Sequence, residues 1–276
     1  MSEAPDAFKG VTGPDLDALL TLAERLADCA RAEVAPHYRT PLSVEDKPDA
    51  SPVTAIDRAA EAAMRRILEQ SVPAHGVVGE EYGSDRSEAE FVWILDPVDG
   101  TKRLITGSPL FGALIALLHR GRPLLGIVEM PALAERWIGA RGRPSLHKKD
   151  GKSRPVACRP CPSPAGATLT ASSPHMFEGS DAAAFERLRQ ATKMTLYGGD
   201  CYSYAMLAEG FLDLVVEADM SPYDYLAQVP IIEGAGGRLT DWQGRPLGLD
   251  SDGRTAAAGD PALHEAALAV LAATAA

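Results

Sequence analysis

The sequence predicts two packed halves, an α+β unit followed by an α/β unit. Three observations predict this class. Two stretches with helical apolar spacing come first, and a set of apolar strands joined by tight turns follows them. Beyond a basic, Gly/Pro-rich stretch at 141–164, the pattern changes to shorter strands alternating with helices. The break is expected within 141–153, giving halves 8–145 and 146–276.

The elements follow in order. Across 14–35, Leu16, Leu19, Leu20, Ala23, Leu26, Ala27, Ala30 and Val34 keep helical spacing, with Pro14 and Asp15 suited to a first turn. A loop rich in Pro and Asp spans 41–52. Thr54-Ala55-Ile56-Asp57 has capping-box form and opens a second helix carrying Ile56, Ala60, Met64, Ile67 and Leu68. Strands are predicted at 76–79, 91–95, 112–118 and 124–130, the last two joined as antiparallel neighbours by a turn at Gly121-Arg122-Pro123. In the second half, strands are predicted at 167–172, 193–197 and 212–217, and helices at 181–190, 200–209 and 225–233. Pro230 removes a backbone donor, so that last helix is expected to kink or to start late. Asp260-Pro261 caps a final Ala/Leu-rich helix.

With 276 residues the chain can bury a large core, and a hydrophobic fraction of 46% beside a charged fraction of 24% is ordinary for a globular protein. A net charge of −11 argues against a nucleic-acid or anionic-membrane surface. It does not argue against an anionic phosphate ester, because a bound cation reverses the local sign. The opening, Met1 to Asp6, is acidic and is not followed by an apolar run, and no apolar stretch reaches membrane-spanning length. A cytoplasmic protein is expected. The cysteines are Cys29, Cys158, Cys161 and Cys201; Cys158-Arg159-Pro160-Cys161 has zinc or redox spacing, but no second pair completes a site, so reduced thiols are expected.

The chemistry concentrates in Phe91-Val92-Trp93-Ile94-Leu95-Asp96-Pro97-Val98-Asp99-Gly100-Thr101. An apolar strand is expected to run into a tight turn presenting two aspartates three residues apart and then a hydroxyl. Carboxylates so close repel each other and lose hydration unless a cation sits between them. Mg2+ takes such oxygen ligands together with substrate phosphate. Glu80 and Glu81 follow the strand at 76–79, and Glu81 is expected to be a solvated loop charge. Asp224, in Pro222-Tyr223-Asp224-Tyr225, precedes an apolar helix ending in Gly234-Ala235-Gly236-Gly237. Each has a plainer reading too: Asp57 completing the capping box, Asp224 complementing a helix N-terminus, and Asp96 with Asp99 forming an Asx turn.

Gly79-Glu80-Glu81, then Asp96-Pro97-Val98-Asp99-Gly100-Thr101, then a distal aspartate before Glu233-Gly234-Ala235-Gly236-Gly237 resembles the inositol monophosphatase superfamily across nearly the whole chain. The resemblance implies a layered α-β-α-β-α sandwich and a magnesium-dependent, lithium-sensitive phosphomonoesterase. Pro222 to Ala227 replaces the W-D-x-A-A pattern of inositol monophosphatases proper. The segments 106–112 and Gly198-Gly199-Asp200-Cys201-Tyr202-Ser203-Tyr204 look like the histidinol-phosphatase branch, which serves histidine biosynthesis. Leu104 stands where the family has Phe, a change of packing rather than chemistry.

By that resemblance Glu80, Asp96 and the Val98 carbonyl hold a first Mg2+. Asp96, Asp99 and Asp224 hold a second, and Glu80 with waters a third. Thr101, oriented by Asp57, aligns the attacking water or takes its proton, and the amides of Gly100 and Thr101 hold phosphate oxygens. Gly199, Asp200, Glu217 and Asp224 contact the substrate, with Glu217 on its alcohol portion. For histidinol phosphate, Asp200 is expected to meet the cationic amine, and Tyr223 and Tyr225 to wall the imidazole or simply pack. Lys102 and Arg103 screen the phosphate or are solvated. The first half thus carries most metal ligands, and the second carries specificity and the distal aspartate. Rival readings are a phosphatase for inositol phosphate, a sugar bisphosphate or a nucleotide 3′-phosphate, and a non-catalytic binding protein. A small phosphate ester is the expected partner, with no nucleic acid or membrane, and the resemblance suggests a homodimer.

Overall fold

The structure, a computed structural model, describes residues 13–46 and 52–273. The acidic opening, the start of the first half at residue 8, residues 47–51 and the last three residues lie outside the described residues.

Helix α1 spans Gly13–Val34 and buries Leu22, Ala23, Leu26, Ala27, Ala30 and Val34, the face its apolar spacing dictates. The expected loop after it holds two short antiparallel strands, β1 (Val44–Asp46) and β2 (Pro52–Thr54). Helix α2, Ala55–Ser71, starts at the predicted capping box. There the Ile56 amide donates to Thr54 Oγ1 at 3.2 Å, and the Thr54 amide to Asp57 Oδ2 at 3.1 Å.

The large sheet contains β3 (Gly76–Gly79), β4 (Gly83–Asp85) and β5 (Phe91–Asp99). After the short helix α3 (Thr101–Ile105) come β6 (Gly112–His119), β7 (Arg122–Met130), β8 (Glu135–Ala140), β9 (Leu146–Lys149) and β10 (Lys152–Pro155). Its order is β10-β9-β8-β7-β6-β5-β3-β4, antiparallel except for the parallel β3–β5 pair. Strands β9 and β10 fall in the stretch whose composition suggested a boundary, so the large sheet continues past 145 to Pro155. The β6–β7 turn sits one residue earlier than predicted, at Arg120 and Gly121, both left-handed as two-residue hairpins favour.

The second sheet is built from β11 (Thr168–Ala171), β12 (Met194–Tyr197), β13 (Leu214–Glu217), β14 (Arg238–Thr240) and β15 (Thr255–Ala258). Its order is β12-β11-β13-β15-β14, with β11 parallel to both neighbours and β15 antiparallel to both. The helices between them are α4 (Gly179–Ala191), α5 (Cys201–Ala208), α6 (Pro222–Tyr225) and α7 (Gln228–Gly234), and α8 (Pro261–Ala272) closes the fold. Asp260 caps α8 as expected, its Oδ1 accepting from the Ala262 amide at 2.9 Å.

Strand alternation sorts the core into layers. Trp93, Leu95, Ala113, Ile115 and Leu117 face α1 and α2, whereas Val92, Ile94, Leu114, Ala116 and Leu118 face α5 and α7. In the second sheet Val215 and Ala257 point to that same helical layer, and Leu214, Val216, Ala256 and Ala258 point to α4 and α8. The result is the α-β-α-β-α sandwich. The central helices lie against the large sheet because two of its strands present glycine. A Cβ at Gly126 would lie 1.9 Å from the Ala227 carbonyl oxygen, and one at Gly139 would lie 2.3 Å from the Ile231 amide.

The helix predicted at 225–233 is broken into α6 and α7. Pro230 has no N–H for the Leu226 carbonyl, and the regular helix restarts at Gln228, two residues before it.

Candidate active site

Asp96 and Asp99 lie on β5 itself rather than in a turn beyond it. The ladder with β6 shifts register between them, so Asp96 opposes Leu114 and Asp99 opposes Gly112. Such a bulge accommodates Pro97 and aims both carboxylates toward the end of the sheet. The chain turns only at Gly100, whose φ of +77° suits glycine, and α3 starts at Thr101. The Val98 amide donates to Asp96 Oδ1 at 2.9 Å, so the Asx bond is present as well.

Asp224 arrives from the far half. It caps α6, its Oδ2 accepting from the Ser221 amide at 2.7 Å, and it reaches the strand-end carboxylates too. Asp96, Asp99 and Asp224 each present an oxygen within 4.8 Å of the others. The Glu80 carboxyl meets that of Asp96 closely enough to share a hydrogen bond. Glu80 and Asp224 therefore converge on the Asp96/Asp99 strand end, as the sequence reading requires.

The electrostatics are those of a cation site. Burial pushes Asp96 well above the usual carboxylate range, and Glu80, Asp99 and Asp224 add to the rise. Burial and then the Asp99 charge raise Asp224. Burial and then Asp200 push Asp99 up to about 7, against the opposing pull of the Cys201 amide, which donates to Asp99 Oδ2 at 2.7 Å. Clustered carboxylate oxygens with mutually raised proton affinity fit a hard divalent cation such as Mg2+.

Asp57 is fully buried and serves two ends. Its Oδ2 takes the Thr54 amide and hydroxyl, and its Oδ1 faces Thr101 Oγ1 at 3.2 Å. Thr101 Oγ1 is also 3.0 Å from the Val98 carbonyl oxygen. The cap and the site share one carboxylate, so the two readings of Asp57 both hold.

On the second half, Glu217 is buried at the end of β13. The Ser172 amide and hydroxyl both bond its Oε1, and Tyr204 donates to its Oε2 at 2.8 Å. Gly199 is buried with φ of +129°, just before Asp200 at the N-terminus of α5. Asp200 is not open: Arg103 Nε donates to its Oδ2 at 2.9 Å. Arg103 is therefore ion-paired rather than freely solvated, while Lys102 is exposed. Tyr225 does not wall a pocket. It is fully buried and donates to the Gly248 carbonyl at 2.9 Å, because residue 225 falls on the core side of α6. Tyr223 is half-buried beside Asp224, Glu80 and Ser221. Leu104 is buried with Phe111, a packing role.

Glu61 escaped the sequence reading. Fully buried on α2, it accepts from the Glu81 amide at 2.7 Å and the Tyr82 amide at 3.3 Å, fixing the turn that carries Glu80. Gly79 makes the approach possible, since a Cβ there would lie 2.0 Å from Glu61 Oε1. The available signal was a charged residue on the apolar face of α2, one turn after Asp57. Glu81, expected to be solvated, is half-buried through this turn.

The sequence model of the Inositol monophosphatase family matches residues 15–275. The bifunctional phosphatase IMPL2, chloroplastic, of Arabidopsis thaliana is 44% identical over 263 residues, 92% of this chain and 75% of that protein. A histidinol-phosphatase of Mycobacterium tuberculosis is 36% identical over 83% of this chain and 88% of its own length. The solved structure of an inositol monophosphatase from Zymomonas mobilis superposes with a TM-score of 0.84 at 45% identity, covering 92% of this chain and 98% of that one. Sequence, layers and the gathered carboxylates agree: the chain belongs to the inositol monophosphatase family of metal-dependent phosphomonoester hydrolases.

Proposed function

We propose that this phosphatase hydrolyses L-histidinol phosphate to L-histidinol and phosphate with Mg2+. The observation that carries this reading is Asp200, a carboxylate at the start of α5 beside the Asp99 cluster, where an ester with a cationic alcohol portion finds a counter-charge. Relatives named histidinol-phosphatase, at 36% and 34% identity, support it.

Glu80, Asp96, Asp99, Asp224 and the Val98 carbonyl would hold two or three ions. Bound there, Mg2+ supplies charge neutralisation and a water of lowered pKa. The chain's own residues do the rest. Asp57 holds Thr101 Oγ1 in line to take a proton from the attacking water, the Thr101 proton passing to Asp57 Oδ1. Burial raises the proton affinity of Asp57, which suits it to that part. The Gly100 and Thr101 amides position phosphate oxygens, and Glu217, locked by Ser172 and Tyr204, orients the alcohol portion.

A second reading, inositol 1-phosphate or another ester with an uncharged alcohol portion, draws on the Arg103 guanidinium that covers Asp200. The acting assembly is proposed as a homodimer, a reading supported by exposed Met194, Leu196 and Tyr197 on the edge strand β12. Among the described residues no helix is long and apolar enough to cross a membrane. The test is phosphate release with Mg2+ across histidinol phosphate, inositol 1-phosphate, fructose 1,6-bisphosphate and 3′-phosphoadenosine 5′-phosphate. Preference for the first is expected; preference for any other overturns the substrate and leaves the reaction class.

A further inference from the structure

Arg103 stands two residues after Thr101 on α3, and its guanidinium crosses to the other half to pair with Asp200. The crossing is built into the backbone. Gly198 has φ of +85°, and a Cβ there would lie 2.4 Å from Arg103 Nη2, so the absent side chain is the space the guanidinium occupies. Asp200 holds φ of +47°, a conformation that costs a non-glycine residue energy and persists where surroundings impose it. Here the next amide, Cys201, is anchored on Asp99. Asp200 is thereby fixed near Asp99 and facing Arg103.

The pair is asymmetric. The Arg103 side chain is 35% exposed and that of Asp200 is 16% exposed. An ion pair open to solvent on one side is weak and exchangeable. The carboxylate is fixed, whereas the cation sits on a flexible stem. An ammonium group is more compact than a guanidinium, so the fixed carboxylate can accept it in place of Arg103 with the backbone as it stands.

We propose that Arg103 is a resident counter-ion of Asp200, displaced when a phosphate ester bearing an ammonium group binds and left in place by one whose alcohol portion is uncharged. This deepens the substrate reading above and rests on it. In the free protein Arg103 keeps Asp200 from standing unpaired beside Asp99. On binding, the ester's ammonium competes with Arg103 for Asp200 Oδ2. Arg103 therefore acts as a specificity-determining residue: it sets how strongly the site favours a cationic alcohol portion.

The experiment compares kcat/KM for histidinol phosphate and its des-amino analogue, and for 2-aminoethyl phosphate and ethyl phosphate, with Mg2+. The proteins are wild type, Arg103→Met, Asp200→Asn and the double variant, with Arg103→Lys as the variant that keeps the charge. Thermal unfolding verifies the fold of each. Removing the competitor should raise the amine-to-des-amino ratio of Arg103→Met by about fivefold, the upper range for a partly exposed ion pair. Asp200→Asn should bring the ratio near one, and in that background Arg103→Met should change nothing further. Arg103→Lys should stay near wild type. The isothermal heat of L-histidinol binding, measured without turnover, should follow the same order. Equal loss for both members of each pair in Arg103→Met would make Arg103 a phosphate clamp and overturn the proposal, as would an unchanged ratio. Failure of wild type on histidinol phosphate, with the ratio for the aminoethyl pair still moving, would sink the substrate reading and leave the counter-ion standing.

Discussion

The Cys201 amide donates to Asp99 Oδ2 at 2.7 Å, so the first turn of α5 in one half holds a carboxylate from the bulged strand of the other. Asp99→Asn keeps an acceptor for that amide and removes the charge. The variant should fold with an unchanged circular dichroism spectrum, while kcat falls by at least about 100-fold, the order lost when one transition-state electrostatic partner goes. Near-normal turnover would remove Asp99 from the chemistry.

The raised carboxyls predict an unusual pH response without metal. An acid whose folded pKa lies above its unfolded value binds more protons folded than unfolded between the two. Its contribution is fully present below the unfolded value and is lost as pH rises through the folded one. For Asp99 that window runs from 3.8 to about 7, and Asp96 and Asp224 act in the same direction. In EDTA, the Tm of Asp99→Asn minus that of wild type should therefore grow as pH rises across the window. Ligation needs ionised carboxylates, so added Mg2+ should raise the wild-type Tm more at pH 8 than at pH 5. A pH-independent difference would refute this.

Glu61 predicts a defect in metal affinity without touching the cluster. Its carboxylate fixes the Glu81 and Tyr82 amides, and with them the turn that presents Glu80. Glu61→Gln should raise the half-saturating Mg2+ concentration about tenfold, as loss of a ligand's supporting bonds commonly does. Gly79→Ala should do the same by forcing Glu61 away. Unchanged Mg2+ dependence in both variants would show that the turn holds itself.

How much was legible follows from the range of each cause. The strand–Asp–Pro–Val–Asp–Gly–Thr run and the capping box are local, so both were readable, although the bulge that keeps Asp96 and Asp99 on β5 was not. Strands β8, β9 and β10 carry Arg, Lys and Gly, and only pairing along the meander makes them strands. Partners far apart in sequence, such as Glu61 with Glu81 or Arg103 with Asp200, leave no spacing signal at all. Tyr223 and Tyr225 read alike because alternation within one turn of α6 decides which faces the core.

That pair makes the last prediction. Tyr225 is enclosed and spends its hydroxyl on the Gly248 carbonyl at 2.9 Å. Tyr225→Phe should cost about 1 kcal/mol, the net value of one hydrogen bond, and leave the substrate ranking untouched. Tyr223 sits beside Asp224 and Ser221, the residue whose amide fixes Asp224 Oδ2. Tyr223→Phe should barely move Tm and should lower kcat/KM roughly fivefold, since removing a polar hydroxyl beside Asp224 affects aim rather than stability. Denaturant unfolding and steady-state phosphate release on both variants separate the two. If Tyr225→Phe alters the substrate ranking while Tyr223→Phe does not, the assignment of faces on α6 is reversed, and Tyr225 reaches the ester after all.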